Sequence, residues 1–238
     1  MIFAQTEYEI RCEWGAQGVA QLAPRSDVVI IVDVFSFSTC IDIAAARGAL
    51  VFPFTSYDER AHAFAKANDA ELAAARRNQA RYTLSPTSLL QIPRGTRLVL
   101  PSPNGAALSL ATGQTPTLTG CLRNARAVAH AAKNFGNRIA LIPAGERWGD
   151  GSLRPALEDW LGAGAILNEL DGKFSPEARA ARDAFSAVQS EIADVLVNCV
   201  SGKELSAKDF ARDVQLAGEW NVSETVPVLR DGAYCSLM

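Results

Sequence analysis

Acidic and hydroxyl side chains follow a run of β-branched residues near the start of the chain. Residues 28–32 read VVIIV, and Asp33, Ser36, Ser38 and Thr39 come soon after. Such a run is typical of a strand buried on both faces. An acid at its end is costly unless a metal, a donor or solvent satisfies it. We interpret Asp33 as a Mg²⁺ ligand, because Mg²⁺ takes hard oxygen ligands and often bridges to a substrate phosphate. The structural alternative is capping of the next helix.

The three hydroxyl residues and a second polar loop, residues 102–105, could supply an anion site. Hydroxyls at a helix N-terminus bind phosphate together with backbone amides, although ordinary capping explains at least one of them. The second loop reads SPNG, and Asn-Gly tolerates left-handed backbone geometry. That loop is either a plain turn or a set of amides and an Asn side chain directed at an anion.

A third loop, residues 145–148, carries the densest set of charges. Glu146 is a candidate metal ligand or general base, and Arg147 could pair with an anionic substrate. Glu158 and Asp159 follow within an expected first helical turn, where the helix dipole alone favours acids. We therefore give those two acids a structural interpretation. We expect the three loops to share one site, since open α/β sheets place ligands at strand-to-helix loops.

Strands and helices alternate through most of the chain, which favours an α/β protein with a mainly parallel sheet between helical layers. Apolar runs predict strands at 2–14, 28–33, 50–54, 98–100, 117–120, 138–143 and 226–229. Helical spacing predicts helices at 38–47, 57–79, 106–111, 124–133, 155–170, 175–200 and 207–217, with 81–93 as a loop. The stretch 175–200 is either continuous or interrupted by one break. Asn124 is expected to cap its helix. With no repeat or linker visible, we expect one domain over residues 1–238.

The bulk composition excludes several classes of protein. A net charge of −3 gives no basic footprint for nucleic acid. No apolar run approaches the roughly 18 residues of a membrane span, and acids near the N-terminus argue against a signal peptide. The five scattered cysteines lack a C-x-x-C pair, as expected for reduced thiols. We therefore expect a cytoplasmic protein without nucleic-acid or membrane partners.

Several catalytic mechanisms lack their residues. A haloacid-dehalogenase-type nucleophile needs a second Asp two residues after Asp33, where Phe35 stands. A phosphatase cysteine needs an Arg six residues later, but Ala127 follows Cys121 at that spacing. There is no Walker A motif and no third glycine for a dinucleotide fingerprint.

Four blocks in order resemble the 2-phosphosulfolactate phosphatase family over about residues 26–233. They read VVIIVDV, PSPNG, GERW with LEDWLGAGAI, and VPVLRDG. The resemblance implies a three-layer α/β/α fold with a mixed, largely parallel sheet. It also implies Mg²⁺-dependent hydrolysis of a phosphate ester on a sulfonated lactate. Two positions depart from the family pattern. Its first block continues V-L-R-A-S/T-T, with Arg where Ser36 stands, and its G-G-E-R-N-G segment is here AARRNQ at 74–79, where Arg76 partly offsets the lost positive charge.

These observations predict a phosphoric monoester hydrolase for a small anionic phosphorylated substrate, with Mg²⁺ as cofactor. The alternative is a degenerate family member that binds an anionic metabolite without turnover. A homodimer is an open alternative to a monomer. Asp33 and Glu146 are the predicted catalytic residues and metal ligands. The predicted substrate-binding residues are Ser36, Ser38, Thr39, Ser102, Asn104, Gly105, Asn124 and Arg147.

Overall fold

A computed structural model describes residues 2–74 and 80–237. Its strands are β1 Ile10–Cys12, β2 Val28–Val32, β3 Leu50–Phe54, β4 Glu71–Leu72, β5 Arg97–Pro101, β6 Thr117–Gly120, β7 Ile139–Pro143, β8 Glu146–Arg147, β9 Leu153–Arg154, β10 Pro227–Arg230 and β11 Ala233–Ser236. Its α-helices are α1 Gly15–Leu22, α2 Phe37–Ala46, α3 Glu59–Ala67, α4 Pro86–Leu89, α5 Gly105–Ala111, α6 Ala125–Ala132, α7 Leu157–Leu167, α8 Pro176–Val188, α9 Ile192–Asn198, α10 Val200–Ser206 and α11 Ala211–Ala217.

Within the described ranges, nine strands form one mixed sheet in the order β1-β7-β2-β6-β10-β11-β3-β5-β4. Strands β1, β7, β2 and β6 pair in parallel, and β3, β5 and β4 form a second parallel group. The β10–β11 hairpin joins the two groups through antiparallel pairings on both sides. The predicted fold class, α/β with a large and mostly parallel sheet, is confirmed. Strands β8 and β9 form a separate small hairpin.

Alternate residues of β2 pack against helices on opposite faces of the sheet. Ile30 and Val32 belong to a cluster that includes residues of α6, α7 and α8. Val29 and Ile31 pack with α1 and with Leu108 of α5. Because successive strand side chains point to opposite faces, burial of every β2 residue requires helices on both sides. This is the three-layer arrangement that the resemblance implies.

Helix α5 packs against both parallel groups of strands. Its Ala106 lies in a cluster with Val51 of β3 and Leu100 of β5. Two residues later, about half a helical turn, Leu108 lies with Ile31 of β2. The loop that opens α5 is therefore held beside the loop that leaves β2, which is what positions the candidate site.

Two secondary-structure predictions in the N-terminal half of the chain were wrong. Only Ile10–Cys12 of the predicted strand at 2–14 is extended, and Ile2–Ala4 is a 3-10 turn. The helix predicted at 57–79 ends at Ala67, because Asp69 takes a positive φ of 47°; strand β4 then follows. Residues 75–79 of that prediction, Arg76 included, lie outside the described residues.

Several other helix predictions also need correction. The predicted loop 81–93 contains the short helix α4, opened by a proline at its first turn. The stretch predicted to be helical at 175–200, continuous or with one break, is divided into α8, a 3-10 turn and α9. The extended Cys199, with ψ 166°, then separates α9 from α10. Helix α7 begins at Leu157 and not at Pro155, and α11 begins at Ala211 and not at residue 207. None of the described helices is long and apolar enough to cross a membrane.

Close packing between α7 and α8 depends on a glycine. A Cβ on Gly164 would lie 2.2 Å from the backbone oxygen of Ala181. We predict that Gly164→Ala lowers the free energy of unfolding by about 1–3 kcal/mol, since overpacking forces the backbone apart. Gly149→Ala is the matched control, because nothing lies within 4 Å of its Cβ position. Chemical denaturation of both variants measures the difference, and equal stability would contradict this account of the α7–α8 contact.

Candidate active site

Asp33 joins the loop after β2 to the loop after β5. One carboxylate oxygen, Oδ1, accepts a hydrogen bond from the backbone N–H of Phe37 at 3.2 Å. The other, Oδ2, accepts from the backbone N–H of Gly105 at 2.8 Å, and the Ser102 hydroxyl lies 3.5 Å from it. Asp33 therefore stabilises the starts of both α2 and α5. Gly105 is required here, because a Cβ on it would lie 2.7 Å from Asp33 Oδ2.

Asn104 joins the same second loop to the third. Its side-chain amide donates to Glu146 Oε2 at 2.9 Å. Burial, and to a smaller extent the negative charges of Asp33 and Glu158, raise the pKa of Glu146 to about 7. The hydrogen bond from Asn104 and the positive charge of Arg154 oppose that rise. Glu146 is thus a carboxylate in a region where negative charge is in excess.

Asp159 joins the first loop to the third. Its Oδ1 accepts from the backbone N–H of Val34 at 2.7 Å, and its Oδ2 accepts from that of Gly145 at 2.8 Å. Burial raises the pKa of Asp159 well above its usual range, and the charges of Asp33 and Glu158 add to the effect. Its place in the first turn of α7 agrees with the prediction. The bridge between two loops was not foreseen, because no local pattern signals a contact with Val34, 125 residues away.

The three polar loops are therefore adjacent, as the sequence predicted. Asp33, Ser102, Asn104, Gly105 and Glu146 are connected by hydrogen bonds. Whether each of them is catalytic or binds substrate stays a prediction.

The hydroxyl groups of Ser38 and Thr39 in the first loop make hydrogen bonds within the protein. The Ser38 hydroxyl accepts from the backbone N–H of Asp33 and is 2.7 Å from the Thr119 hydroxyl. The Thr39 hydroxyl donates to the carbonyl of Val34. Ser38 and Thr39 are completely buried. Ser36 is also buried and precedes α2 at its N-cap position, next to a cis Phe35–Ser36 peptide bond. This placement favours a structural role for these hydroxyls, and their predicted contact with substrate is untested.

Two further predicted substrate-binding residues have hydrogen-bond partners other than these acids. Asn124 is completely buried; its side chain accepts from Cys121 N–H and donates to the carbonyl of Thr225. It occupies the N-cap position of α6 but makes no capping hydrogen bond, so the predicted capping role was wrong. Arg147 is exposed, and its guanidinium donates to the carbonyl of Gly151 at 3.1 Å.

The β8–β9 hairpin has two different faces. Glu146 pairs directly with Arg154, and Arg147 pairs with Leu153. Directly paired residues share one face of a hairpin, and neighbours along a strand point to opposite faces. We call the Glu146–Arg154 side the acid face. Arg147 and Leu153 pair on the other face, and both line a cleft that Asn104 and Glu146 also line.

The sequence interpretation missed Arg154 and gave Glu158 only a dipole role. Glu158 is 2% exposed, and its Oε2 lies 3.7 Å from the Cys199 thiol. Residues 149–152 read GDGS, a composition typical of a turn. The residue that pairs with Glu146 across that turn depends on the hairpin register, which the sequence did not reveal.

Asp33 and Glu146 are residues of the type that binds Mg²⁺. Among the described residues there is no group of three or more His, Cys, Asp or Glu side chains placed to hold a metal ion. Mg²⁺ is usually held by only one or two carboxylates, with waters and substrate phosphate completing its shell. Asp33 and Glu146 supply two carboxylates, and the charge of Asp33 raises the pKa of Glu146. A cation would relieve this repulsion.

Comparison with known proteins identifies the class. Residues 18–232 match the family described as 2-phosphosulpholactate phosphatase. The chain belongs to this family, and the predicted enzyme class, a phosphoric monoester hydrolase, is confirmed.

Two relatives carry the same description. The 2-phosphosulfolactate phosphatase of Methanothermobacter thermautotrophicus is 31% identical over 211 residues, which cover 87% of this chain and 88% of the relative. A probable 2-phosphosulfolactate phosphatase of Carboxydothermus hydrogenoformans is 28% identical over 207 residues, or 84% of each chain. The resemblance noted from the sequence is confirmed.

The bridge made by Asp159 yields a stability prediction. In Asp159→Asn the carboxamide NH₂ would face the N–H of Val34 or Gly145, leaving a buried donor unsatisfied at a cost of about 1–3 kcal/mol. We expect a corresponding loss in the free energy of unfolding by urea denaturation. The matched control is Asp171→Asn, whose side chain is fully exposed and should change stability by less than about 0.5 kcal/mol. Equal denaturation midpoints for the two variants would show that the bridge contributes little.

Proposed function

We propose that the protein is a Mg²⁺-dependent phosphatase of a small anionic phosphoester, 2-phosphosulfolactate or a related phospho-acid, and releases the hydroxy acid and phosphate. The observation that carries the proposal is the meeting of Asp33, Asn104 and Glu146 from three separate loops. Family membership and the names of the two relatives support the substrate.

In this proposal Asp33 and Glu146 hold the metal. When bound, Mg²⁺ supplies Lewis-acid polarisation of the phosphoryl oxygen and lowers the pKa of a water. The chain fixes the two carboxylates in advance: backbone N–H groups of Phe37 and Gly105 orient Asp33, and Asn104 orients Glu146. Preorganised charges of this kind need no rearrangement as the reaction proceeds, which is the main source of electrostatic catalysis.

Hydrolysis requires water to attack phosphorus while the ester P–O bond breaks and the departing oxygen gains a proton. A bound cation would lower the raised pKa of Glu146, so in this proposal Glu146 acts as a metal ligand. Asn104 and Arg147 are the proposed phosphate-binding side chains. Localisation in the cytoplasm and assembly as a monomer or homodimer remain predictions.

One observation supports a second candidate, a degenerate member that binds an anionic metabolite without turnover. Ser36 stands where the family pattern has Arg, and it is 2% exposed. The first loop therefore lacks a cation that could neutralise developing charge in the transition state.

Phosphate release separates the two candidates. We expect release from 2-phosphosulfolactate in Mg²⁺ and a loss of that release in EDTA. A panel of small phosphoesters, including a phosphosugar and a phosphoamino acid, tests the breadth of the site. No release from any of them by folded protein would favour the binding-only candidate.

Asp33→Asn is predicted to lower phosphate release by on the order of 100-fold or more, because a metal ligand worth several kcal/mol is lost. Since this change also removes an acceptor from Gly105 N–H, Glu146→Gln is the second variant; it keeps an oxygen for Asn104. Asp183→Asn on the exposed face of α8 is the control.

Thermal unfolding gives a readout independent of activity. Mg²⁺ should raise the melting temperature of the wild type and of Asp183→Asn, and should raise it less for Asp33→Asn and Glu146→Gln. Full Mg²⁺-dependent activity in a folded Asp33→Asn protein would exclude the proposed metal site.

A further inference from the structure

Arg154 is the guanidinium on the acid face of the hairpin. It pairs directly with Glu146, so the two side chains share a face. Its charge also acts on Glu146. Arg154 is positioned by the strand register and not by an exposed loop tip, since Pro155 and Ala156 connect it at once to α7.

The side chain of Arg154 is oriented from two sides. Its Nη2 donates to the hydroxyl of Ser201 at 3.1 Å, and its guanidinium carbon lies 5.8 Å from the centre of the Trp148 ring. Ser201 is 4% exposed and lies at the start of α10. A guanidinium between a hydroxyl and an aromatic ring loses little further freedom when it binds an anion.

Most of the hydrogen-bonding capacity of Arg154 is still available. Across residues 2–74 and 80–237, Arg154 makes no ion pair within 4.0 Å, and its hydrogen bond to Ser201 uses one of five N–H donors. The other donors do not appear among the buried polar atoms without a partner in the described chain. They are therefore open to solvent or to a ligand. By contrast, buried Arg123 is paired with Asp42 and Glu219.

We propose that Arg154 binds the anionic group of the substrate that is not transferred, a sulfonate or a carboxylate, and so selects phosphoesters that carry a second anion. The proposal rests on the proposed function and extends it to one specificity-determining residue. A planar guanidinium matches an oxyanion bidentately, and Ser201 acts as its positioning residue. Arg147 lines the cleft with Asn104 and Glu146, where it is the proposed phosphate-binding cation, so this second role is not assigned to it.

Three phosphoesters separate the possible contacts of Arg154. 2-Phosphosulfolactate carries a sulfonate and a carboxylate, O-phospholactate carries only the carboxylate, and isopropyl phosphate carries neither. In Arg154→Gln we expect KM for 2-phosphosulfolactate to rise by about 10- to 100-fold, as for loss of a charged hydrogen bond, with kcat nearly unchanged. KM for isopropyl phosphate should stay within about twofold. O-Phospholactate then identifies the group: a matching rise indicates the carboxylate, and no rise indicates the sulfonate.

Two further variants test whether Arg154→Gln acts by disturbing the structure and not by loss of anion binding. Arg179→Gln, on the exposed side of α8, should leave all three KM values unchanged. Arg154→Lys keeps the charge but not the bidentate geometry and should recover part of the loss. An equal change in KM or kcat for all three phosphoesters in Arg154→Gln would overturn the proposal, because it would show a contact with the phosphoryl group or a structural role. No change for any of them would overturn it as well.

A binding measurement separates failure of this inference from failure of the proposed function. Sulfolactate, which has no phosphate, should raise the melting temperature of the wild type in EDTA and should have a smaller effect on Arg154→Gln. That result without any phosphate release would reject hydrolysis and retain the anion site. Phosphate release combined with an equal effect of sulfolactate on both proteins would retain hydrolysis and reject the role of Arg154.

Discussion

The structure depends on buried carboxylates that hold three loops together. Asp33 and Asp159 each accept backbone N–H groups from two different segments, and Glu146 accepts from the Asn104 side chain. Hydrogen bonds from N–H groups satisfy carboxylate oxygens that would otherwise be costly to bury. They do not remove the repulsion between the acids, and this repulsion adds to burial in raising the pKa of Glu146 and Asp159. The same contacts that fix the loops thus create a region where a cation would be stabilised.

These loops meet although their strands belong to different parallel groups. Strand order from β2 to β5 has five steps, three of them antiparallel. Helix α5 contacts both groups, with Ala106 against the β3–β5 side and Leu108 against β2.

The sequence predicted well what depends on local patterns. The strand before Asp33 was visible because all five residues of β2 are β-branched, and the SPNG loop was visible from its turn residues. Prediction from the sequence failed where contacts between residues far apart in the chain determine the structure. Asn124 has a side chain suited to capping, yet the nearby Cys121 N–H and the distant Thr225 carbonyl take its hydrogen bonds. Likewise, the Ala-rich stretch after residue 57 has high helix propensity, but the helix ends at Ala67, and Glu71 and Leu72 pair with β5.

Charge balance explains why the hairpin matters for specificity. The first loop has a buried serine where the family pattern has arginine, and the acids around Glu146 exceed the cations. A substrate with several negative charges therefore needs positive charge from the bound metal and from outside the first loop. The β8–β9 register places one guanidinium, that of Arg154, beside Glu146 and another, that of Arg147, on the opposite face. Because a one-residue slip of β9 would move Arg154 to the opposite face, the register of this two-residue ladder determines whether Arg154 lies beside Glu146.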